Sequence, residues 1–257
     1  EIGTRMKGST VPRPNIRGTL SGHAAGEPFC DLVFDMLQHR HGASIVKQHE
    51  LLNMIMANPP YPIKEERVKK FPVRSLGELM WHGRLGAKWS PESLFSEKQN
   101  DFADIIDLSE KGRIHIIDVK TRNASKKGQA PNIMSALRLA KLCKGIIEHG
   151  EASNVKITYV GVDWLDQGAN LECVDAHVTE MMKIPPEELY INFTAALQIQ
   201  FHVDEVPQTF NLGNEEWARR FLQHYIRSWE RRKEKFEKDN VLPFLELLGH
   251  QNRKWIN

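Results

Sequence analysis

Asp104, Asp118 and Lys120 are the residues whose types and spacing could do chemistry: two carboxylates and an ammonium set for metal-assisted phosphodiester hydrolysis. They bracket the segment DFADIIDLSEKGRIHIIDVK, residues 101–120. Its apolar runs predict two short strands, Ile105–Leu108 and Arg113–Val119. Between them lies Ser109-Glu110-Lys111-Gly112, whose glycine supplies the positive φ of a tight hairpin turn. A turn centred near Lys111 sets Leu108 against Ile114, Ile106 against Ile116, and Asp104 opposite Asp118. Cross-strand β-carbons lie roughly 5 Å apart, so two carboxylates there can share a divalent ion at about 2.1 Å, the magnesium–oxygen distance. Lys120 falls on the same sheet face as Asp118, because strand side chains alternate with period two. A buried carboxylate must find a cation or a proton, and a metal and a lysine would both serve. The competing explanation of Asp118-Val119-Lys120 is a strand-end ion pair, which a triplet this short also fits.

The next segment, Thr121 to Asn132, is polar and basic without an apolar anchor, and reads as a loop beside the site. Arg122, Lys126 and Lys127 suit phosphates, Gln129 and Asn132 carry amides that match adenine or other base edges, and small Ala130 permits close approach. Polar residues with Ser, Asn and Pro are also what a loop needs ahead of a helix, so each has an ordinary capping explanation as well. That helix is expected over residues 133–147, with apolar positions at 133, 137, 140 and 147.

Other elements must hold this hairpin in place. Pro28 is expected to open a helix running to about His39, with Phe29, Leu32, Val33, Met36 and Leu37 on its apolar side. Glu27 then stands near the positive end of the helix, where an acid is favourable through the dipole alone. A second helix is expected over 44–57, ended by Pro59-Pro60 and followed by a basic loop over 58–75. Trp81, His82 and Trp89 precede the hairpin, and no second His or Cys stands at metal spacing from His82. Lys156–Leu165 and Leu171–Ala176 read as partner strands, and Gln198, Gln200 and His202 alternate with Ile199, Phe201 and Val203. Trp217, Phe221, Tyr225, Ile226 and Trp229 mark a long helix, opposite Arg219, Arg220, Arg227, Arg231 and Arg232. Such a basic face is either solvated or tracks a nucleic-acid backbone. Residues 1–20, Gly/Pro-punctuated and carrying Arg5, Lys7, Arg13 and Arg17, read as an irregular arm.

With 257 residues, 40% hydrophobic and 26% charged, the chain can bury one substantial core, and a single domain over 1–257 is expected. A net charge of +2 is too mild to establish a nucleic-acid partner, but a carboxylate-lined site needs only local basicity. Cys30, Cys143 and Cys173 are odd in number, far apart and without C-x-x-C spacing. They signal neither a disulfide framework nor a zinc site, and fit a reducing cytoplasm. The sequence has no apolar run of membrane-spanning length and no secretory leader near Glu1; without an initiator methionine, a short preceding piece is expected.

Asp104 followed by Asp118-Val119-Lys120 resembles the PD-(D/E)XK nuclease pattern, with Ala103 where that pattern places its proline. The wider text is similar to the HincII-like type II restriction endonucleases. The similarity runs in order through 18–29, 97–101, 103–105, 118–123, 129–133, 188–192, 198–203 and 215–218. The resemblance implies an α/β fold with a restriction-endonuclease-like mixed central β-sheet flanked by helices. It implies Mg²⁺ held by Asp104, Asp118 and the Val119 carbonyl, with Lys120 acting on the attacking water and Thr121 supporting the neighbouring phosphate. It makes Gln129 enter among the bases, with Ala130, Asn132, Arg122, Tyr190 and Asn192 as further DNA contacts. In many members a first-helix glutamate approaches the metal, a role open to Glu27. The activity implied is double-strand cleavage within a short palindrome of the GTYRAC kind by a homodimer on double-stranded DNA, with a companion DNA methyltransferase. A repair nuclease, a junction resolvase and a DNA-binding module with a lapsed site are the alternatives.

Overall fold

The hairpin around Lys111 forms, and its register is the one the sequence predicts: Ile106 pairs with Ile116, Ile105 with Ile117, and Asp107 with His115. Gly112 turns the chain at φ +78°. The computed structural model describes residues 2–15, 22–48, 50, 103–126, 128, 130–194 and 197–248. The helix expected beyond residue 50, the 58–75 loop, Trp81, His82, Trp89, Lys127 and Gln129 lie outside the described residues.

The strands are β1 (Thr10–Pro12), β2 (Ile45–Lys47), β3 (Ile105–Asp107), β4 (Ile114–Asn123), β5 (Asn132–Ser135), β6 (Val155–Asp166), β7 (Asn170–Glu180), β8 (Tyr190–Asn192) and β9 (Gln198–Gln200). The helices are α1 (Ile2–Met6), α2 (Gly22–His41), α3 (Ala136–His149), α4 (Asn214–Asn240) and α5 (Leu242–Leu247). The central sheet has the order β1-β7-β6-β4-β3-β2. It is mixed: β4 and β6 run parallel, and the other neighbours are antiparallel. A second, antiparallel sheet has the order β5-β9-β8.

Period-two alternation splits the buried residues into two cores. Ile114 and Ile116 of β4 face one way with Ile157 and Tyr159, against α3, the second sheet, and Trp217 and Phe221 of α4. Ile117 and Val119 face the other way with Val160, Val162 and Trp164, against Phe29, Val33 and Leu37 of α2. Both faces of the central sheet are therefore covered, which explains why β4 and β6 read as near-continuous apolar runs.

Several expectations are corrected. The segment expected to be an irregular arm contains α1 and β1; β1 extends the sheet along β7, and Met6 and Val11 are buried. Arg13 pairs with Asp166 at 3.0 Å, anchoring the segment to β6. Helix α2 starts at Gly22 rather than Pro28, so Pro28 lies inside it and Glu27 is an exposed residue of its second turn. Alanines at 24 and 25 favour helix strongly enough to extend it upstream of the proline. Residues 45–47 form a strand instead of a helix, because the β-branched pair Ile45-Val46 finds an antiparallel partner in β3. Asn132–Ser135 is likewise a strand, paired with β9, so α3 begins only at Ala136. Ser135 Oγ caps it by accepting the Arg138 N–H at 3.4 Å. The buried face of α3 is Leu139, Ala140, Leu142, Cys143 and Ile146, whereas Leu137, expected on that face, is exposed. Among the described residues no helix is long and apolar enough to cross a membrane.

Candidate active site

The β3–β4 register, carried one residue past Ile105, brings Asp104 to Asp118. Asp104 Oδ2 accepts the backbone N–H of Val119 at 2.8 Å. Lys120 Nζ lies 2.7 Å from Asp118 Oδ2, and Asp118 is only 7% exposed. The β3–β4 pairing thus brings Asp104, Asp118 and Lys120 together, with the Val119 N–H bound to Asp104.

Burial pushes the Asp118 carboxyl well above the usual carboxylate range; Lys120 opposes this, and Asp104 reinforces it by charge and by direct hydrogen bonding. Burial disfavours the Lys120 ammonium, but Asp118 and Asp104 outweigh it, so its pKa lies above the ordinary lysine value. Two carboxylates facing one ammonium leave a shortage of positive charge, which a divalent cation would fill. Tyr159, opposite Asp118 on β6, is fully buried and its phenol is pushed far up, chiefly by burial and then by the two acids. It donates to Met134 Sδ of β5 at 3.3 Å and meets Phe201 edge-on at 5.7 Å. One neutral ring thereby joins β6, beside β4, to the second sheet.

The segment after Lys120 divides in two. Thr121 and Ala130 are half-buried, and Lys126 is exposed. Arg122, expected at a phosphate, is half-buried and held by acidic side chains of the protein. Its guanidinium grips Asp163 at 2.8 and 2.6 Å, reaches Asp204 at 2.9 Å and Glu205 at 3.7 Å, and lies 3.3 Å from His202 Nδ1. These acids raise its pKa further above an already high value, with the Asp163 bonds foremost. Asp163, His177 and Asp204, and also His202, Asp204 and Glu205, approach one another closely enough to resemble metal sites. Arg122 supplies the counter-charge for most of these groups, so they form a bracket between β4, β6 and the turn after β9.

The second sheet turns an amide-rich face outward. Asn132 of β5 and Tyr190 of β8 both pair with Gln200 of the central strand, β9. Asn132 is exposed, Tyr190 is 62% exposed, and Asn192, Gln198 and Gln200 are half-buried. Ile133, Ile191 and Ile199 fill the core behind them. Side-chain bonds tie the face together: Gln200 Nε2 donates to Asn132 Oδ1 at 2.8 Å, and Asn192 Nδ2 donates to Gln200 Oε1 at 2.9 Å. Asn132 is therefore a neighbour of Tyr190 and Asn192, although about 60 residues of chain separate it from them. Gln200, which no motif in the sequence marks as functional, joins them; its polar alternation is visible in the chain, but its partners lie in strands that alternation cannot pair.

The sequence profile of the family described as "Restriction endonuclease HincII" matches residues 2–248. The type II restriction enzyme HindII of Haemophilus influenzae is 43% identical over 250 residues, covering 96% of each chain. The type II restriction enzyme HincII of Haemophilus influenzae matches with the same identity and coverage. Among solved structures, NlaIV restriction endonuclease superposes with a TM-score of 0.39 at 11% identity, covering 88% of this chain and 85% of its own. The profile match and the two close relatives, each spanning nearly the whole chain, show that the protein belongs to the HincII restriction endonuclease family and is a type II restriction enzyme.

Proposed function

We propose that this chain, acting as one nuclease domain over residues 1–257, makes Mg²⁺-dependent double-strand cuts in a short palindromic DNA site of the GTYRAC kind. Asp104, Asp118 and the Val119 carbonyl hold the ion. The observation that carries this reading is the buried convergence of Asp104 and Asp118 beside Lys120, with one lysine to balance two acids. The residues fit a hard cation, since both side chains offer carboxylate oxygen. Once bound, the ion supplies Lewis acidity to the phosphoryl oxygens and acidifies the attacking water.

The chain's own groups do the rest. The Val119 N–H fixes the Asp104 carboxylate, leaving its other oxygen for the cation. Lys120 Nζ, held by Asp118, orients the water and offsets the negative charge that builds on the phosphoryl group. Thr121 supports the adjacent phosphate. Gln129, Ala130, Asn132, Tyr190 and Asn192 meet the bases or their backbone, the last three from one exposed sheet face. Arg122 acts by bracing β4 rather than by touching phosphate. A two-fold homodimer gives each DNA strand one site, in a cytoplasm where a companion methyltransferase protects the host's own sites.

Digestion of plasmid DNA with Mg²⁺, followed by sequencing of the ends, should give discrete fragments that share one palindrome. Asp118→Asn should abolish cleavage while sparing binding, because it removes ligand charge and keeps shape. Nicking that follows DNA structure rather than sequence would favour a resolvase or repair nuclease. An Asp118→Asn enzyme that cuts at the wild-type rate would remove this residue from the site.

A further inference from the structure

We propose that Gln200 is a positioning residue for sequence readout, which orients the Asn132 amide so that its N–H donors face an acceptor on a base edge. The inference rests on the DNA-cutting function proposed above, and adds to it a residue and a polarity.

A carboxamide has a donor end and an acceptor end of nearly the same shape, so its orientation is set by its partners. Here the orientation starts from a group that cannot be reversed. The backbone N–H of Thr194 can only donate, and it lies 3.0 Å from Asn192 Oδ1; the Thr194 hydroxyl joins the same oxygen at 2.7 Å. Asn192 must therefore point Nδ2 at Gln200, where it meets Oε1 at 2.9 Å. Gln200 is then obliged to turn Nε2 toward Asn132, meeting Oδ1 at 2.8 Å. At the end of this relay, Asn132 Nδ2 has no partner among the described residues, on an exposed side chain.

Gln200 can play this part because it sits on the middle strand. It faces Asn132 across one ladder and Tyr190 across the other, with Asn192 diagonal to it. The ladder is irregular between Asn132 and Met134, a bulge of the kind that re-aims a neighbouring side chain. Guanine, adenine and thymine each offer a major-groove acceptor, whereas cytosine offers a donor there. A donor-presenting Asn132 thus excludes cytosine at the base it faces.

The test uses the full chain and its Gln200→Glu, Gln200→Met and Asn132→Asp variants to cut a library of single-base variants of the wild-type site. Gln200→Glu replaces the donor facing Asn132 with an acceptor, so the Asn132 amide should turn over and move preference at one position toward a donor-bearing base. Asn132→Asp should move preference at that same position in the same direction. Gln200→Met loses both bonds and should lower discrimination there by about tenfold or more, with the ranking at other positions retained. Folded Gln200 variants with an unchanged ranking, or with discrimination lost evenly at all positions, overturn the proposal. Should the Gln200 variants fail to fold, Asn132→Asp decides: an unshifted preference overturns it. A wild-type enzyme that makes no sequence-specific cuts overturns the underlying function instead, so the two failures are distinct.

Discussion

Lys120 reaches the site through strand periodicity alone: two residues past Asp118, it shares that residue's face and closes to 2.7 Å. The two acids beside it outweigh the cost of burial and favour the charged form, which aims the ammonium at the place where negative charge must be accommodated. Lys120→Ala should therefore slow the chemical step by at least roughly a hundredfold, the scale of a positioned acid-base or electrostatic group. Single-turnover cleavage at saturating enzyme measures this; a normal rate would reduce Lys120 to an ion-pair partner. Arg122 shows the opposite relation between sequence and role. Its neighbours in the chain suggest a phosphate contact, yet Asp163 and Asp204, more than 40 residues away, claim its guanidinium.

Strand β6 carries the β3–β4 hairpin on one edge and β7 on the other, and Gly161 lies opposite Lys120 in the parallel ladder. A Cβ on Gly161 would come within 2.8 Å of Val203 Cβ, so the absence of a side chain is what lets the turn after β9 lie on the sheet. Thr179 Oγ1 holds that turn by donating to the Val203 carbonyl at 2.6 Å. Gly161→Ala should push the 201–205 segment outward and destabilise the fold by about 1–3 kcal/mol, the usual range for overpacking. Because β9 leads directly into this segment, cleavage should weaken as well. Urea unfolding and cleavage rate on the same preparation check both effects, and unchanged values would mean that Val203 shifts without cost.

The stability of the whole molecule should vary with pH through His115, near the start of β4 and ahead of Asp118 and Lys120. Burial, and then Lys156, lowers its pKa to about 4. The unfolded chain takes up this proton near pH 6.5 while the folded chain refuses it until about 4. Stability from the neutral imidazole is therefore fully present above about pH 6.5, and is lost as pH falls toward 4, by on the order of 3 kcal/mol. His115→Gln should flatten this part of the profile. Urea midpoints for both proteins at pH 7 and pH 4.5 test it, and parallel profiles would show that His115 is not the group responsible.

Features governed by neighbours in sequence are legible in the chain itself. The β3–β4 hairpin, the meeting of Asp104 with Asp118, the β6–β7 pair and the long helix α4 follow from turn chemistry and side-chain periodicity, which act over a few residues. Tertiary structure alone decided what depends on distant partners. Residues 45–47 and 132–135 become strands because β3 and β9 offer them edges, and those pairings override local preference. Asn132 and Gln200 are 68 residues apart, and only the order β5-β9-β8 makes them hydrogen-bonded neighbours. A period-two pattern specifies which face a side chain takes but not which strand lies beside it. The cluster of Asp104, Asp118 and Lys120, local to one hairpin, could therefore be read from the chain, whereas the polar face of the second sheet awaited the fold.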